Sequence, residues 1–286
     1  MENIDYSALL DTIMQGNCTL FVGAGFSLDA VNFLDQKLRL ADKLKEFLLT
    51  KIGETDFNTD LMTASREYLR KKGDHELIKV LKEEFTIKET SPAQDFILSL
   101  PWRRIYTTNY DDVVEVSSKK NGTPIECISL DKNPLDYKNK RGKCICLNGS
   151  IRQLNPDTLY KQFKLTNVSY LTTEFAESGW ITLFRDDLAH SDLIFFIGFS
   201  MKGDLDIQRI VYNLSIKEKT QFIIWEKETQ RSIAELADFG KIYPIGVSTF
   251  SQKLSEAYDE FIPLENLPMI YESFRRVNLI ADIPVL

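Results

Sequence analysis

Short apolar runs with the length of buried strands alternate with stretches of helical spacing along most of the chain. The run at 193–197 is apolar at every position, which is typical of a central strand in a parallel sheet. Further strands are predicted at 17–22, 105–108, 125–129, 143–147, 222–225 and 243–247. Helical spacing falls at 111–119, 180–188, 205–214, 231–239 and 254–262. This alternation predicts an α/β fold built on a doubly wound, mostly parallel sheet.

A helical pattern interrupts the alternation between the first and second strands. Apolar residues recur there at intervals of three and four, as at Leu38, Ala41, Leu44 and Leu48. The stretch 154–173 is rich in loop-forming residues and receives no assignment. We therefore expect one domain over residues 1–286, with a sheet-bearing core at about 17–33 and 101–262 and a helical insertion subdomain at about 34–100.

The charge balance narrows the classes of partner. The 35 Lys and Arg residues against 42 Asp and Glu residues give a net charge of −7, so phosphate backbones and anionic membranes would be repelled. No apolar stretch approaches the roughly 20 residues of a membrane helix, and the N-terminus lacks the layout of a signal peptide. We expect a cytoplasmic protein that binds neither nucleic acid nor membrane directly.

The four cysteines do not form a metal site by their spacing. A structural zinc site needs two Cys-x-x-Cys pairs or an equivalent set, and the cysteines lie at Cys18, Cys127, Cys144 and Cys146. Cys18 and the pair at 144 and 146 fall in or beside apolar runs, where a free thiol behaves as a small buried hydrophobe. We therefore expect free thiols and no bound metal.

Two glycine-containing turns follow predicted strands. Gly23, Ala24, Gly25 and Ser27 come directly after the first strand, and Gly198 and Ser200 follow the run at 193–197, with Asp204 shortly beyond. The carboxyl ends of parallel strands meet at one edge of the sheet, where ligands bind. Glycines there let the backbone approach a phosphate closely. An ordinary turn explains either glycine motif alone, and Asp204 can equally cap the following helix.

An amide and a carboxylate follow another predicted strand. Thr108, Asn109 and Asp111 come at the end of 105–108, which places them at the same edge as the glycine turns. When the bond between a sugar ring and a leaving group breaks, positive charge develops on the ring. A neutral amide can orient hydroxyls or water beside that charge, and a carboxylate can stabilise it. The alternative is that Asn109 and Asp111 cap the helix that starts near residue 111.

The ordered set of motifs resembles the sirtuin-like NAD-binding family, in particular its branch in bacterial antiphage defence. The resemblance rests on Gly23-Ala24-Gly25-Phe26-Ser27, on the stretch from Thr107 to Asp111, and on Gly198-Phe199-Ser200 followed by an acidic residue. It covers roughly residues 17–250 and implies a Rossmann-like sheet. It implies catalytic roles for Asn109, Asp111 and position 148. The NAD+ contacts that it implies are Gly23, Ala24, Gly25, Ser27, Thr108, Gly149, Gly198, Ser200 and Asp204.

A fourth motif departs from the family pattern. The family usually carries a His-Gly pair after a strand, and here the sequence reads Leu147-Asn148-Gly149-Ser150. An amide has no basic nitrogen, so Asn148 cannot accept a proton as histidine does. Losing a general base typically costs about 10²- to 10⁴-fold in rate. An inactivating substitution, a natural pseudo-enzyme and a variant that uses another base all remain open.

The resemblance implies an NAD+ hydrolase that cleaves the nicotinamide–ribose bond and depletes NAD+ in an antiphage, abortive-infection system. NAD+ is then the substrate, and the expected partners are further copies of the chain or a sensor or ATPase protein. A non-catalytic module that senses NAD+ or ADP-ribose is the alternative, and Asn148 favours it. A protein deacylase is disfavoured because such enzymes generally carry the zinc cysteines that are missing here.

Overall fold

A computed structural model describes residues 4–165, 179–201 and 205–261 of the chain. Its strands are β1 (Thr19–Val22), β2 (Val31–Asn32), β3 (Ile87–Glu89), β4 (Arg104–Thr107), β5 (Cys127–Ile128), β6 (Cys144–Cys146), β7 (Ile194–Ile197), β8 (Thr220–Ile224) and β9 (Lys241–Pro244). Its α-helices are α1 (Tyr6–Met14), α2 (Ala41–Lys51), α3 (Leu61–Lys72), α4 (Asp74–Phe85), α5 (Pro92–Ser99), α6 (Val113–Lys120), α7 (Pro156–Lys161), α8 (Gly179–His190), α9 (Leu205–Asn213), α10 (Gln230–Leu236) and α11 (Gly246–Phe261).

Seven strands form one sheet in the order β5-β6-β4-β1-β7-β8-β9. Every neighbouring pair in it is parallel. The chain moves from β1 to one side of the sheet and returns after β6 to the other side at β7. The strand order therefore reverses between β1 and β7, and a doubly wound fold of this kind binds ligands outside the carboxyl ends of those two strands. The predicted fold class is confirmed.

The sheet is covered on both faces, which explains the unbroken apolar strands. Along β1, Leu20 and Val22 pack into the apolar layer on one face. Phe21, between them, packs into the layer on the other face with Phe196 and Phe222. Successive side chains of a strand point to opposite faces, so a strand buried on both sides needs apolar residues at every position.

Helices occupy most of the segment between β1 and β4, as the spacing predicted. They are α2, α3, α4 and α5, and α2 packs against α3. A short antiparallel pair of β2 and β3 accompanies them, which the sequence pattern did not predict. The helix α1 before the sheet was not predicted either, and it packs against α11. The division into a core and an insertion subdomain stays a prediction.

The expectation of free thiols holds for Cys18 and Cys144 and is wrong for Cys146. Cys127 and Cys146 form a disulfide with their Cα atoms 5.8 Å apart, while Cys18 and Cys144 are free and buried. The pairing arises because β5 and β6 are parallel neighbours, which brings residues 19 apart in sequence into contact. The spacing of the cysteines in the sequence does not show that β5 and β6 are neighbours in the sheet.

A buried ionic cluster, called here the amino-end cluster, lies where β4 begins. It consists of Arg103, Arg104, Tyr106 and Asp187. The Asp187 carboxylate, on α8, accepts hydrogen bonds from Arg103 Nε at 3.0 Å, from Arg104 Nε, and from the Tyr106 hydroxyl at 2.7 Å. Asp187 and Tyr106 are fully buried, and Arg104 is almost so. This cluster ties α8 to the sheet at the edge opposite the glycine turns.

Among the helices of the described residues, none has both the length and the apolar character that crossing a bilayer requires.

Candidate functional site

The two glycine turns lie against each other where the strand order reverses. The Gly23 N–H donates to the Ile197 carbonyl at 3.0 Å, and the Gly25 N–H donates to the Gly198 carbonyl at 2.8 Å. Gly198 has φ +64°, and a Cβ built on it would lie 2.1 Å from the Phe26 nitrogen. No other residue fits there, so the predicted glycine motifs meet through direct backbone contact.

This contact gives Gly25 a role different from the one that the sequence predicted. The sequence favoured Gly25 as a residue that removes a side chain from the path of a pyrophosphate. In the structure, a Cβ at Gly25 would lie 2.9 Å from the Gly198 Cα, and its N–H is already donated to Gly198. Gly25 is therefore required by the packing of one loop on the other. The same turn leaves Ala24 exposed and holds Ser27 buried.

Asn109 joins the β4 loop to the first glycine turn. Its side-chain amide donates to the Gly23 carbonyl and to Ser27 Oγ, both at 2.9 Å. Its backbone N–H donates to Thr107 Oγ1 at 2.9 Å, and that hydroxyl donates to the Val22 carbonyl. Asn109 makes no helix cap, because α6 begins at Val113, so that alternative is wrong for it. The amide is held with both N–H groups engaged.

Asp111 continues this network. Its carboxylate accepts from the Val113 N–H at 3.2 Å, so the capping alternative holds in part for this residue. Burial raises the pKa of Asp111 to about 6, and the neighbouring Ser27 hydroxyl, which accepts from Asn109, opposes this rise. Asn109, Ser27 and Asp111 thus lie together at one point of the site.

Two further carboxyls on α6 and at its N-cap were missed by the sequence analysis. Burial, then the charge of Asp112, raises the pKa of Glu115 to about 7. The nearest cation to Glu115 is Arg152, with Nε at 3.8 Å. Asp112 accepts from the Ile87 N–H at 2.8 Å and from Arg152 Nε at 2.9 Å, and burial raises its pKa too. The spacing of four between Asp111 and Glu115 was the available signal.

A cavity of about 190 Å³ opens beside this network, between the sheet edge and the insertion helices. Its polar lining includes Ser27, Thr108, Asn109 and Asp111, and its apolar lining includes Leu28, Leu38, Leu44, Leu61 and Phe85. Sites for drug-sized ligands enclose roughly 300–1,000 Å³. The cavity therefore has room for one end of a dinucleotide and not for the whole molecule.

Arg39 adds a cation to the cavity lining, which the sequence analysis also missed. Its guanidinium pairs with the buried Glu84 carboxylate, and its backbone N–H donates to the same side chain at 2.7 Å. The guanidinium also lies over the Phe47 ring, 4.3 Å from the centroid. Arg39 is thus fixed in place by the insertion helices, and no local sequence pattern marks it.

Asn148 and Gly149 lie next to the cavity loop without being part of the described cavity lining. The Asn148 side-chain amide donates to the Thr108 carbonyl at 3.3 Å, and its backbone carbonyl accepts from the Lys164 N–H at 3.1 Å. Gly149 has φ +89°, and a Cβ on it would lie 3.0 Å from the Gln162 carbonyl oxygen. Position 148 therefore braces the backbone beside Asn109.

Of the remaining expected NAD+ contacts, two lie within the described residues and one lies outside them. Gly198 lies in the glycine contact, and Ser200 is exposed two residues further on. Asp204 lies outside the described residues. Within the described ranges, no group of three His, Cys, Asp or Glu side chains is arranged to hold a metal ion.

The chain is similar to several known proteins. Residues 103–240 match the family model described as a SIR2-like domain. NAD(+) hydrolase ThsA of Acinetobacter baumannii (strain 532279) is 24% identical over 244 residues, which cover 83% of this chain and 48% of that protein. Defense-associated sirtuin 2 of Bacillus subtilis is 25% identical over 226 residues, which cover 75% of this chain and 21% of that protein. The chain thus spans about half and about a fifth of these relatives. The resemblance inferred from the motifs is confirmed.

A solved structure shares the fold. The crystal structure of a SIR2 homolog–NAD complex superposes with a TM-score of 0.51 at 15% identity and covers 91% of this chain and 96% of that chain. At this identity the likeness concerns the fold alone.

Proposed function

We propose that this chain, whose residues 103–240 form a SIR2-like domain, hydrolyses NAD+ at the nicotinamide–ribose bond. The proposal rests on the position of Asn109, Ser27 and Asp111, which lie together in the lining of one cavity. This cavity lies beside the glycine turns that follow β1 and β7, the two strands between which the strand order reverses. The name of the relative NAD(+) hydrolase ThsA supports the same activity.

The cavity suits the nicotinamide end of NAD+. Its apolar side chains can pack on the ring, and its volume matches a fragment of the ligand. The remaining ribose and phosphates would then run along the sheet edge past Ala24, Gly198 and Ser200. The Asp111 carboxylate in the cavity lining favours the cationic pyridinium ring of NAD+ through charge attraction.

The site residues have distinct roles in this proposal. Both N–H groups of the Asn109 amide are held by Gly23 and Ser27, so its oxygen is the atom that it presents to a ribose hydroxyl or a water. The Asp111 carboxylate stabilises the positive charge that develops on the ribose as nicotinamide leaves. A fixed charge in a partly water-excluded site acts without reorganising during the reaction. We propose that no metal takes part.

The biological role is a further proposal, since the chain spans only part of its relatives. The names of those relatives, an NAD(+) hydrolase and a defence-associated sirtuin, support an effector that depletes NAD+ in bacterial antiphage defence. Loss of NAD+ in infected cells would stop phage growth by stopping host metabolism. We propose a cytoplasmic effector that acts as a homo-oligomer or with a sensor or ATPase partner.

The test is to incubate the purified chain with NAD+ and to follow nicotinamide by chromatography, beside the variants Asn109→Ala and Asn133→Ala. Asn109→Ala should lose most of the turnover. It should also lower the free energy of unfolding by about 1–3 kcal/mol, because two buried acceptors lose their donor. Asn133 caps a surface turn through the Leu135 N–H at 3.1 Å and makes a matched control that should keep turnover. Full turnover in a folded Asn109→Ala protein would contradict the assignment.

A non-catalytic NAD+ or ADP-ribose sensor is the second candidate. It is favoured by Asn148, which has no basic nitrogen and spends its amide on the Thr108 carbonyl. Calorimetry on the same samples separates the two functions. Tight NAD+ binding without any nicotinamide release would support the sensor, and steady release would exclude it.

A further inference from the structure

We infer that Asp111 accepts the proton of the water that attacks C1′ of the nicotinamide ribose. The inference rests on the proposed function and names the base that Asn148 cannot supply. It explains how a chain without the family histidine can still hydrolyse NAD+.

The geometry selects Asp111 among the carboxyls of the site. Asp111 lines the cavity together with Ser27 and Asn109, and Asp112 does not belong to that lining. Asp112 has both oxygens committed, one to the Ile87 N–H and the other to Arg152. The Val113 N–H orients the Asp111 carboxylate, and the Ser27 hydroxyl lies beside it. It is therefore the carboxylate that can reach a water held by the Asn109 amide oxygen.

The step balances without a co-reactant other than water. The C1′–N bond breaks and both of its electrons leave with the nitrogen, which turns the pyridinium into neutral nicotinamide. The water oxygen forms the new bond to C1′, and its proton passes to the Asp111 carboxylate. Asp111 then releases that proton to solvent, so NAD+ and water give nicotinamide, ADP-ribose and one proton.

The charged groups around Asp111 come from its own helix and from the segments behind it. Asp112 and Glu115 lie on the same turn of chain, and the Asp111 charge contributes to the raised pKa of Glu115. The charge of Arg152, after β6, lowers the pKa of Asp112 and that of Glu115. Burial raises the pKa of the Cys144 thiol on β6, so this thiol stays neutral.

Arg39 and Tyr110 also line the cavity that Asp111 faces. The charge of Arg39 is balanced by the buried Glu84. The Tyr110 hydroxyl points away and donates to the Lys164 carbonyl. No other titratable side chain of the described residues lines this cavity. Asp111 thus faces more negative than positive neighbouring charge, and its pKa of about 6 suits a base that works near neutral pH.

Glu115 does not control the protonation of this base. Its pKa of about 7 lies above that of Asp111, so Glu115 is mostly protonated and neutral in the pH range where Asp111 titrates. Glu115 shares a narrow crevice with Asp111, Asn109 and Ser27, and it is absent from the lining of the cavity that would hold nicotinamide.

The test combines pH–rate profiles with product analysis on the full chain. The unaltered chain should lose rate as pH falls through about 6. Asp111→Asn should lower kcat by about 10²- to 10⁴-fold and leave NAD+ affinity, measured by calorimetry, less affected. Glu115→Gln should keep activity and leave the acid midpoint near 6, because Glu115 is already mostly protonated at that pH. The exposed Asp136→Asn is the matched control and should change neither.

The outcomes separate this inference from the proposed function. No nicotinamide release from the unaltered chain would overturn both. Release that continues at full rate in Asp111→Asn, or an acid midpoint near 6 that persists in a folded Asp111→Asn protein, would overturn the assignment of the base alone. Asn148→His should change the rate less than tenfold, and a gain of 100-fold or more would place the missing base at position 148 instead.

Discussion

The two ends of the sheet each carry a buried polar network, and they balance charge in opposite ways. At the amino end, the Asp187 carboxylate is surrounded by the guanidinium groups of Arg103 and Arg104 and by the Tyr106 hydroxyl. Positive charge exceeds negative charge there. Such a network orients its members fully and leaves no polar atom directed at a ligand.

The carboxyl end has the reverse balance. Asp111 accepts from a backbone N–H beside the Ser27 hydroxyl, and Glu115 has its nearest cation, Arg152, at 3.8 Å. Burial outweighs these favourable interactions and raises the pKa of both carboxyls. Carboxyls held in this way cost stability and are typical of functional sites. The amino-end cluster therefore stabilises the fold, whereas the carboxyl edge of the sheet keeps ionisable groups available for chemistry.

The largest expected effect falls on the amino-end cluster. Asp187→Ala leaves two guanidinium groups and a tyrosine hydroxyl buried without their acceptor, so the free energy of unfolding should fall by about 3–5 kcal/mol. Asp186→Ala on the same helix is the control and should stay within about 0.5 kcal/mol. Urea denaturation measures both. Similar small losses in the two variants would show that the amino-end cluster does not hold the fold.

A smaller and pH-dependent effect is expected at Glu115. Its pKa is about 7 in the folded chain against 4.5 as the usual value, so the folded state holds its proton over a pH range in which the unfolded state has lost it. This group therefore costs stability progressively as pH rises from about 4.5 to 7. Glu115→Gln should gain up to about 3 kcal/mol over the unaltered chain at pH 8 and little at pH 4.5. A stability difference that is the same at both pH values would contradict the raised pKa.

The smallest expected difference concerns the glycine contact at the carboxyl edge. Gly198 and Gly142 both have positive φ, at +64° and +61°, yet a Cβ meets Phe26 at Gly198 and open space at Gly142. Gly198→Ala should therefore lower the free energy of unfolding by about 1–3 kcal/mol more than Gly142→Ala. Thermal or urea unfolding of the two variants compares them directly. Equal losses would mean that the two turns are not in tight contact.

The sheet and its ligand edge could be predicted because their signals are local. The run at 193–197 is apolar throughout, and a strand with no polar face is buried on both sides. Glycines directly after such runs mark strand ends, and parallel strands bring their carboxyl ends together. The meeting of Gly25, Asn109 and Gly198 follows from these two facts.

The features that were missed depend on contacts between distant segments. Glu115 reads as an ordinary helix charge, and only the packing of β6 and the segment around Arg152 makes it a buried carboxyl. Arg39 is placed by its partner Glu84, 45 residues further along the chain. The Cys127–Cys146 pairing depends on the order of β5 and β6 in the sheet. None of these leaves a pattern within one element.

The measurement that tests the central claim most directly is a time course of NAD+ consumption by the unaltered chain in ¹⁸O-labelled water. The products are followed by mass spectrometry. We expect nicotinamide and ADP-ribose in equal amounts, with one labelled oxygen at C1′ of the ADP-ribose, because water is the nucleophile beside Asn109 and Asp111. Unchanged NAD+ after prolonged incubation, or nicotinamide release with no labelled ADP-ribose, would contradict hydrolysis at this site.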